Sequence, residues 1–187
     1  MDSMDGKLSS NVKHGWASNM EVSPSFEETI AQHHKMLEKI AATFEADSKL
    51  QQDLLQEILL SVWQALERFK GECAVKTYVY RVAYNRALNH VAKQSRIALH
   101  TEFEDDYSCW QPDPEQHTKG QQQLHQLLFA IRQLPIMQRQ LVTLSLDGLS
   151  YDDISVITGL SKNNVGVKLS RAKKALRDVL IHNFGEK

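Results

Sequence analysis

From Phe26 onward the apolar positions of this chain recur at spacings of three and four, the period of a helix that buries one face. Ile30, His33, Leu37, Ile40 and Ala41 form such a stripe, and Phe44 extends it. Asp53 to Phe69 carries Leu54, Leu55, Ile58, Leu59, Val62, Trp63 and Leu66, apolar around more than half its circumference. That pattern predicts a central helix packed on two sides. Gly71 interrupts the period, and Thr77 to Ala92 resumes it with Val79, Val82, Ala83, Leu88 and Val91. Farther on, Leu124, Leu127, Leu128 and Ile131 make one stripe, and Leu134-Pro135 opens another that runs to Asp147-Gly148, with proline in the tolerated first turn. Ser150 is placed to cap a short helix with Asp153 at its third position, and Gly159 to end it. Ser161 then caps a last helix that buries Val165, Leu169, Ala172, Leu176 and Leu180. No strand pattern and no fixed repeat interrupt this reading, so the expected fold is all-α.

Two stretches lack the period. Residues 1–25 are polar and read as a flexible arm. Residues 97–120 hold Glu102, Glu104, Asp105, Asp106, Asp113 and Glu115 against a lone Lys119, and Pro112 and Pro114 forbid a continuous helix. They read as a flexible acidic linker between two small helical domains, 26–96 and 121–183. The whole chain of 187 residues is 42% apolar and 24% charged, with a formal net charge of −1. This excludes a simple polycation that coats nucleic acid but not a local basic face, since a ligand feels the field near its own site. No apolar run approaches the roughly 18 residues of a membrane span, and the acidic start does not resemble a secretory signal. Cys73 and Cys109 are too few for a disulfide scaffold or a four-thiolate zinc site. A reduced, cytoplasmic protein is expected.

The chemistry concentrates in two places. After the glycine turn at Gly159 the last helix carries Lys162, Lys168, Arg171, Lys173, Lys174 and Arg177, with no acid before Asp178. A helix–turn–helix inserts its second helix in the major groove, and Lys162, Asn163 and Asn164 at the start of this one can reach base edges and phosphates. Between Phe69 and Asn89, Tyr78, Tyr80 and Tyr84 interleave with Lys70, Lys76, Arg81 and Arg86. Rings that stack on unpaired bases beside cations that hold phosphates suit single-stranded nucleic acid. Core rings explain part of the same pattern, because Tyr80 and Tyr84 share one helix face. His34 and Glu38 stand four apart with no third ligand group to complete a metal site, and His33 sits on the apolar stripe as a packed ring. No phosphate-cradling glycine loop and no catalytic pairing is present, so an enzymatic reading has no residues to rest on.

Asp53-Leu54-Leu55-Gln56-Glu57-Ile58-Leu59-Leu60-Ser61-Val62-Trp63, then Phe69-Lys70-Gly71-Glu72, then Thr77-Tyr78-Val79-Tyr80-Arg81-Val82-Ala83-Tyr84-Asn85, resembles region 2 of bacterial RNA polymerase sigma factors of the extracytoplasmic-function group. Leu134-Pro135, Leu149-Ser150-Tyr151-Asp152-Asp153-Ile154 and Lys168-Leu169-Ser170-Arg171-Ala172-Lys173 resemble region 4 of the same group. The resemblance implies that Asp53, Gln56, Glu57 and Trp63 lie at or beneath a contact with core RNA polymerase. It implies that Phe69, Lys70, Gly71, Glu72 and Cys73 form the loop that captures a flipped base of the −10 element. Arg81 and Asn85 then contact the melted non-template strand. It assigns −35 duplex reading to the last helix, hence to Lys162, Asn163, Asn164, Lys168 and Arg171. It also implies an anti-sigma factor as a partner, and neither cofactor nor metal. The chain departs from the common pattern at Tyr78, where tryptophan is usual, at Val75, where phenylalanine is common, and at Gly166-Val167-Lys168, where Lys-Ser-Arg is frequent.

The expected function is therefore promoter recognition and strand opening in transcription initiation, achieved by binding and not by catalysis. Two other classes fit parts of the sequence. One is a stand-alone helix–turn–helix regulator that needs no polymerase, and the other is a sigma-like protein–protein module that reads no DNA.

Overall fold

The computed structural model describes residues 25–100 and 119–185, with side chains for 25–96 and 119–185. The arm and most of the acidic linker, Cys109 included, lie outside the described residues. Among those described are seven helices and no strand: α1 (Phe26–Phe44), α2 (Ser48–Leu66), α3 (Val75–His100), α4 (Lys119–Arg132), α5 (Ile136–Leu146), α6 (Tyr151–Thr158) and α7 (Lys162–Phe184). The helical period of α3 thus carries four residues into the stretch expected as linker, and α4 starts at that stretch's far end.

Local chemistry places the helix ends. Asp47 caps α2 by accepting hydrogen bonds from the backbone N–H of Lys49 at 2.8 Å and Leu50 at 2.9 Å. Ser150 caps α6 by accepting from Asp153 N at 3.1 Å, and Ser161 caps α7 by accepting from Asn164 N at 3.4 Å. Gly159 ends α6 at φ 72°, a left-handed conformation that only glycine takes without strain. Pro135 stands one residue earlier than expected, as the N-cap of α5.

The first bundle is α1–α3, with α2 packed against both neighbours. Leu54, Ile58, Val62 and Leu66 form its buried stripe. The opposite side of α2 is open to solvent: Leu60 is 54% exposed and Trp63 46%. The contacts with α1 and α3 are the two-sided packing that its pattern predicts, while Leu60 and Trp63 stay exposed outside it. Tyr80 and Tyr84 are buried, with Phe44 edge-on to Tyr84 at 5.8 Å between ring centroids. The core explanation holds for both tyrosines.

The second bundle packs α4, α5 and α6 on α7. It does not hang free of the first, since α6 lies on α3 and α4 and α5 lie on α1. One apolar cluster runs from Leu37, Ile40, Ile58 and Tyr80 through to Leu141, Leu144, Ile154 and Ile157. Polar contacts pin the same seam. The Tyr80 hydroxyl donates to Asp147 Oδ2 at 3.0 Å, and Lys39 Nζ donates to Asp147 Oδ1. Thr77 donates to Asp153 at 3.1 Å, Arg132 Nε to the Ala42 carbonyl at 2.9 Å, and the Arg139 guanidinium lies 5.6 Å from the Phe44 ring centroid. The two domains expected from sequence are two bundles sharing one core.

Candidate functional site

The loop from α2 to α3 builds a cavity. Hydrogen bonds from Arg68 N to Ala65 O and from Phe69 N to Leu66 O tighten the end of α2, and Gly71 turns the chain at φ 73°. The turn delivers Phe69 against Tyr78 on α3, with ring centroids 4.9 Å apart and planes tilted by 53°. Tyr78 is held by a hydrogen bond from its hydroxyl to the Ala65 carbonyl at 3.1 Å, and the Arg81 guanidinium lies 5.3 Å from its ring centroid. Between these groups opens a cavity of about 390 Å³ lined by Arg68, Phe69, Lys70, Glu72, Cys73, Tyr78, Arg81 and Val156. An aromatic wall with three cations against one carboxylate suits an anionic ligand that carries a flat ring.

Of the residues expected at this site, Phe69, Lys70, Glu72, Cys73 and Arg81 meet around one cavity, and Gly71 makes their turn. Asn85 is exposed one helical turn beyond Arg81 and does not line it. Arg68 and Tyr78 line it without having been expected there. Their position beside Phe69 and within the aromatic-basic stretch was the available signal. Val156 comes from α6 in the other bundle, and no local pattern announces it.

The last helix presents a second surface. Val165, Leu169 and Ala172 are buried, while Lys162, Asn163, Asn164, Lys168 and Arg171 are exposed along the outside of α7. Lys162 is engaged, its Nζ 2.8 Å from Asp152 Oδ2, but both side chains are more than half exposed, so the pair is weak and a phosphate can displace it. Lys168 and Arg171 extend a face free of acids up to Asp178. Val167, outside the expected set, is exposed among them.

On the outer face of α2, Asp53 and Gln56 are exposed beside Leu60 and Trp63. Glu57 is instead drawn toward α3, 3.0 Å from Arg86 and 3.7 Å from His90. His34 and Glu38 form a surface pair at 3.3 Å, and no cluster of three metal-ligating side chains occurs among the described residues. His33 is partly buried, and burial with the nearby Lys76 charge lowers its pKa. No described helix is long and apolar enough to cross a membrane.

Comparison with known proteins places both surfaces on matched segments. Residues 29–97 match the Sigma-70 region 2 family model, and residues 124–176 match Sigma-70, region 4. The chain is 31% identical to the ECF RNA polymerase sigma-E factor of Escherichia coli K12 over 134 residues, covering 66% of this chain and 70% of that one. It is 29% identical to the RNA polymerase sigma-H factor of Pseudomonas aeruginosa over 157 residues, covering 79% and 81%. In fold it is similar to the sigma factor RpoE solved with the anti-sigma factor NepR from Bartonella quintana, with TM-score 0.68, 20% identity and coverage of 84% and 98%. It is also similar to CnrH solved with the cytosolic domain of CnrY, with TM-score 0.60, 18% identity and coverage of 84% and 88%.

Proposed function

The chain belongs to the extracytoplasmic-function group of the sigma-70 family, and from that premise we propose how its two surfaces divide the work of transcription initiation. It is a promoter-recognising initiation factor whose partners are core RNA polymerase and promoter DNA. Its first bundle, residues 26–96, docks on polymerase through Asp53, Gln56, Trp63 and the neighbouring Leu60. Glu57 supports that face from its pairing with Arg86. The cavity between Phe69 and Tyr78 receives an unstacked base of the −10 element. Lys70 and Arg81 hold its phosphates, and Asn85 meets the strand farther along α3.

The second bundle, 121–183, reads the −35 duplex with Asn163, Asn164, Lys168 and Arg171, and Lys162 joins them when it leaves Asp152. Nothing in this scheme requires bond-making chemistry by the protein. It acts by binding melted DNA better than duplex, which shifts the closed-to-open equilibrium. Its place of action is the cytoplasm, with the DNA. An anti-sigma factor is the expected regulator, as the structural neighbour RpoE is solved in complex with one.

The observation that carries the reading is the coincidence of the aromatic, cationic cavity with the region 2 match and of the exposed basic helix with the region 4 match. The test is run-off transcription with purified core polymerase on a promoter library, followed by permanganate footprinting on the best template. Phe69→Ala should still form closed complexes but lose several-fold or more in thymine reactivity, since stacking on a ring is worth roughly 1–3 kcal/mol per base. On a pre-melted bubble template, where opening is no longer needed, most of the lost run-off transcription should return. Normal thymine reactivity in Phe69→Ala would remove the base-capture role, and no promoter-dependent run-off product beyond that of core polymerase alone would remove the initiation reading.

A further inference from the structure

We propose that Val167 reads sequence by packing on the 5-methyl group of a thymine in the upstream promoter element. The inference rests on α7 being the duplex-reading helix and names the chemistry by which one base pair is chosen. Val167 is 53% exposed in a helix whose apolar residues Val165, Leu169 and Ala172 are buried. At about 100° per residue it points away from that buried stripe, in line with Asn163 one turn before and Arg171 one turn after. Exposed Asn164, Lys168 and Lys174 flank the same line. The apolar side chain thus stands in the middle of a cationic face.

The surroundings decide what fits there. An apolar protein groove would cover Val167 but strip water from Lys168 and Arg171 without pairing them, which is costly. A duplex offers phosphates to the cations and, in the major groove, one apolar group that marks a base pair, the thymine methyl. Neighbouring Gly166 adds no side chain. The Tyr151 ring occupies that flank, its Cε2 3.5 Å from where a Cβ would stand. Valine is also stiff at χ1 in a helix, so ordering it against a base costs little entropy.

Full-length protein with core polymerase, on an upstream element selected from a randomised library, tests the proposal. Each thymine of the selected site is replaced in turn by deoxyuridine, which removes only the methyl group. One replacement should weaken binding by the wild-type holoenzyme about fourfold, the scale of one buried methyl. The same replacement should be silent with Val167→Ala and remain costly with Val167→Ile. Deoxyuridine tolerated at every position by the wild type, or sensitivity that survives Val167→Ala, would overturn the assignment. Weakened polymerase association by Val167→Ala with unchanged DNA discrimination would make this a protein-binding surface and overturn it as well. If no upstream sequence is selected at all, the duplex-reading role of α7 fails first and the proposal falls with it.

Discussion

Glu45 leaves the end of α1 with its carboxylate folded back on the chain. It accepts from the backbone N–H of Ala46 at 2.7 Å and Asp47 at 3.1 Å, and from Gln94 Nε2 at 2.9 Å, with His90 Nε2 at 3.4 Å. Burial alone would raise its pKa, but the hydrogen bonds from Gln94, Asp47, Ala46 and His90 together outweigh burial and hold the group below the usual glutamate range. A depressed folded-state pKa means stability that is complete above the unfolded glutamate value and is lost as pH falls through the folded value. Glu45→Gln should therefore cost about 1 kcal/mol near neutral pH and progressively less in acid. Urea midpoints of both proteins between neutral and strongly acidic pH check this, and a gap that widens in acid would contradict it. Nothing in the sequence marks Glu45, because its partners on α3 come into reach only through packing. Phe69, by contrast, is expected at the cavity through the family resemblance, and Tyr78 stands out as one ring of the aromatic-basic stretch, but that the two rings meet shows only in the fold.

At the scale of elements, the helices were legible because each buries one stripe and carries its own stop signals. Ser150, Gly159 and Ser161 act where local rules place them. The outer face of α2 was not legible, since periodicity counts Leu60 and Trp63 as apolar without saying whether anything covers them. Two glycines of the second bundle make a contrasting pair. Gly159 sits at φ 72°, where a side chain costs about 1–2 kcal/mol. Gly166 lies inside α7, where an added methyl meets Tyr151 Cε2 at an ordinary 3.5 Å and should gain up to about 1 kcal/mol of helix propensity. Gly159→Ala should lower the melting temperature and Gly166→Ala should raise it, each by roughly 2–4 °C per kcal/mol for a chain of this size. Differential scanning calorimetry of the two variants decides it. Shifts of equal sign would mean that the backbone argument fails at one of the two sites.

For the whole molecule, the sequence predicts two small helical domains joined by a flexible acidic linker and leaves open how they meet; in the structure they share a core. Sequence patterning could not show this, because a residue such as Ile154 looks equally buried whether it faces its own bundle or the other one. The shared core predicts cooperative unfolding: far-UV circular dichroism and calorimetry should report one coincident transition. Two resolved transitions would mean that the bundles unfold separately. The seam also sets which surfaces stay open. α7 presents its basic face outward, while α6 packs on α3, where Thr77 donates to its Asp153, and brings Val156 to the rim of the cavity.

Asp147 concentrates this union in one side chain, only 6% exposed, that accepts from Lys39 and Tyr80 across 108 and 67 residues of sequence. Its consequence is one of inheritance. A change at any of the three positions alone strands a charge or a hydroxyl at the seam, so the cost of one substitution depends on which residues the other two positions already hold. The three sites should therefore drift as a set, and among descendants of this chain those that lose the carboxylate at 147 should have exchanged the lysine at 39 or the tyrosine at 80 in the same lineages.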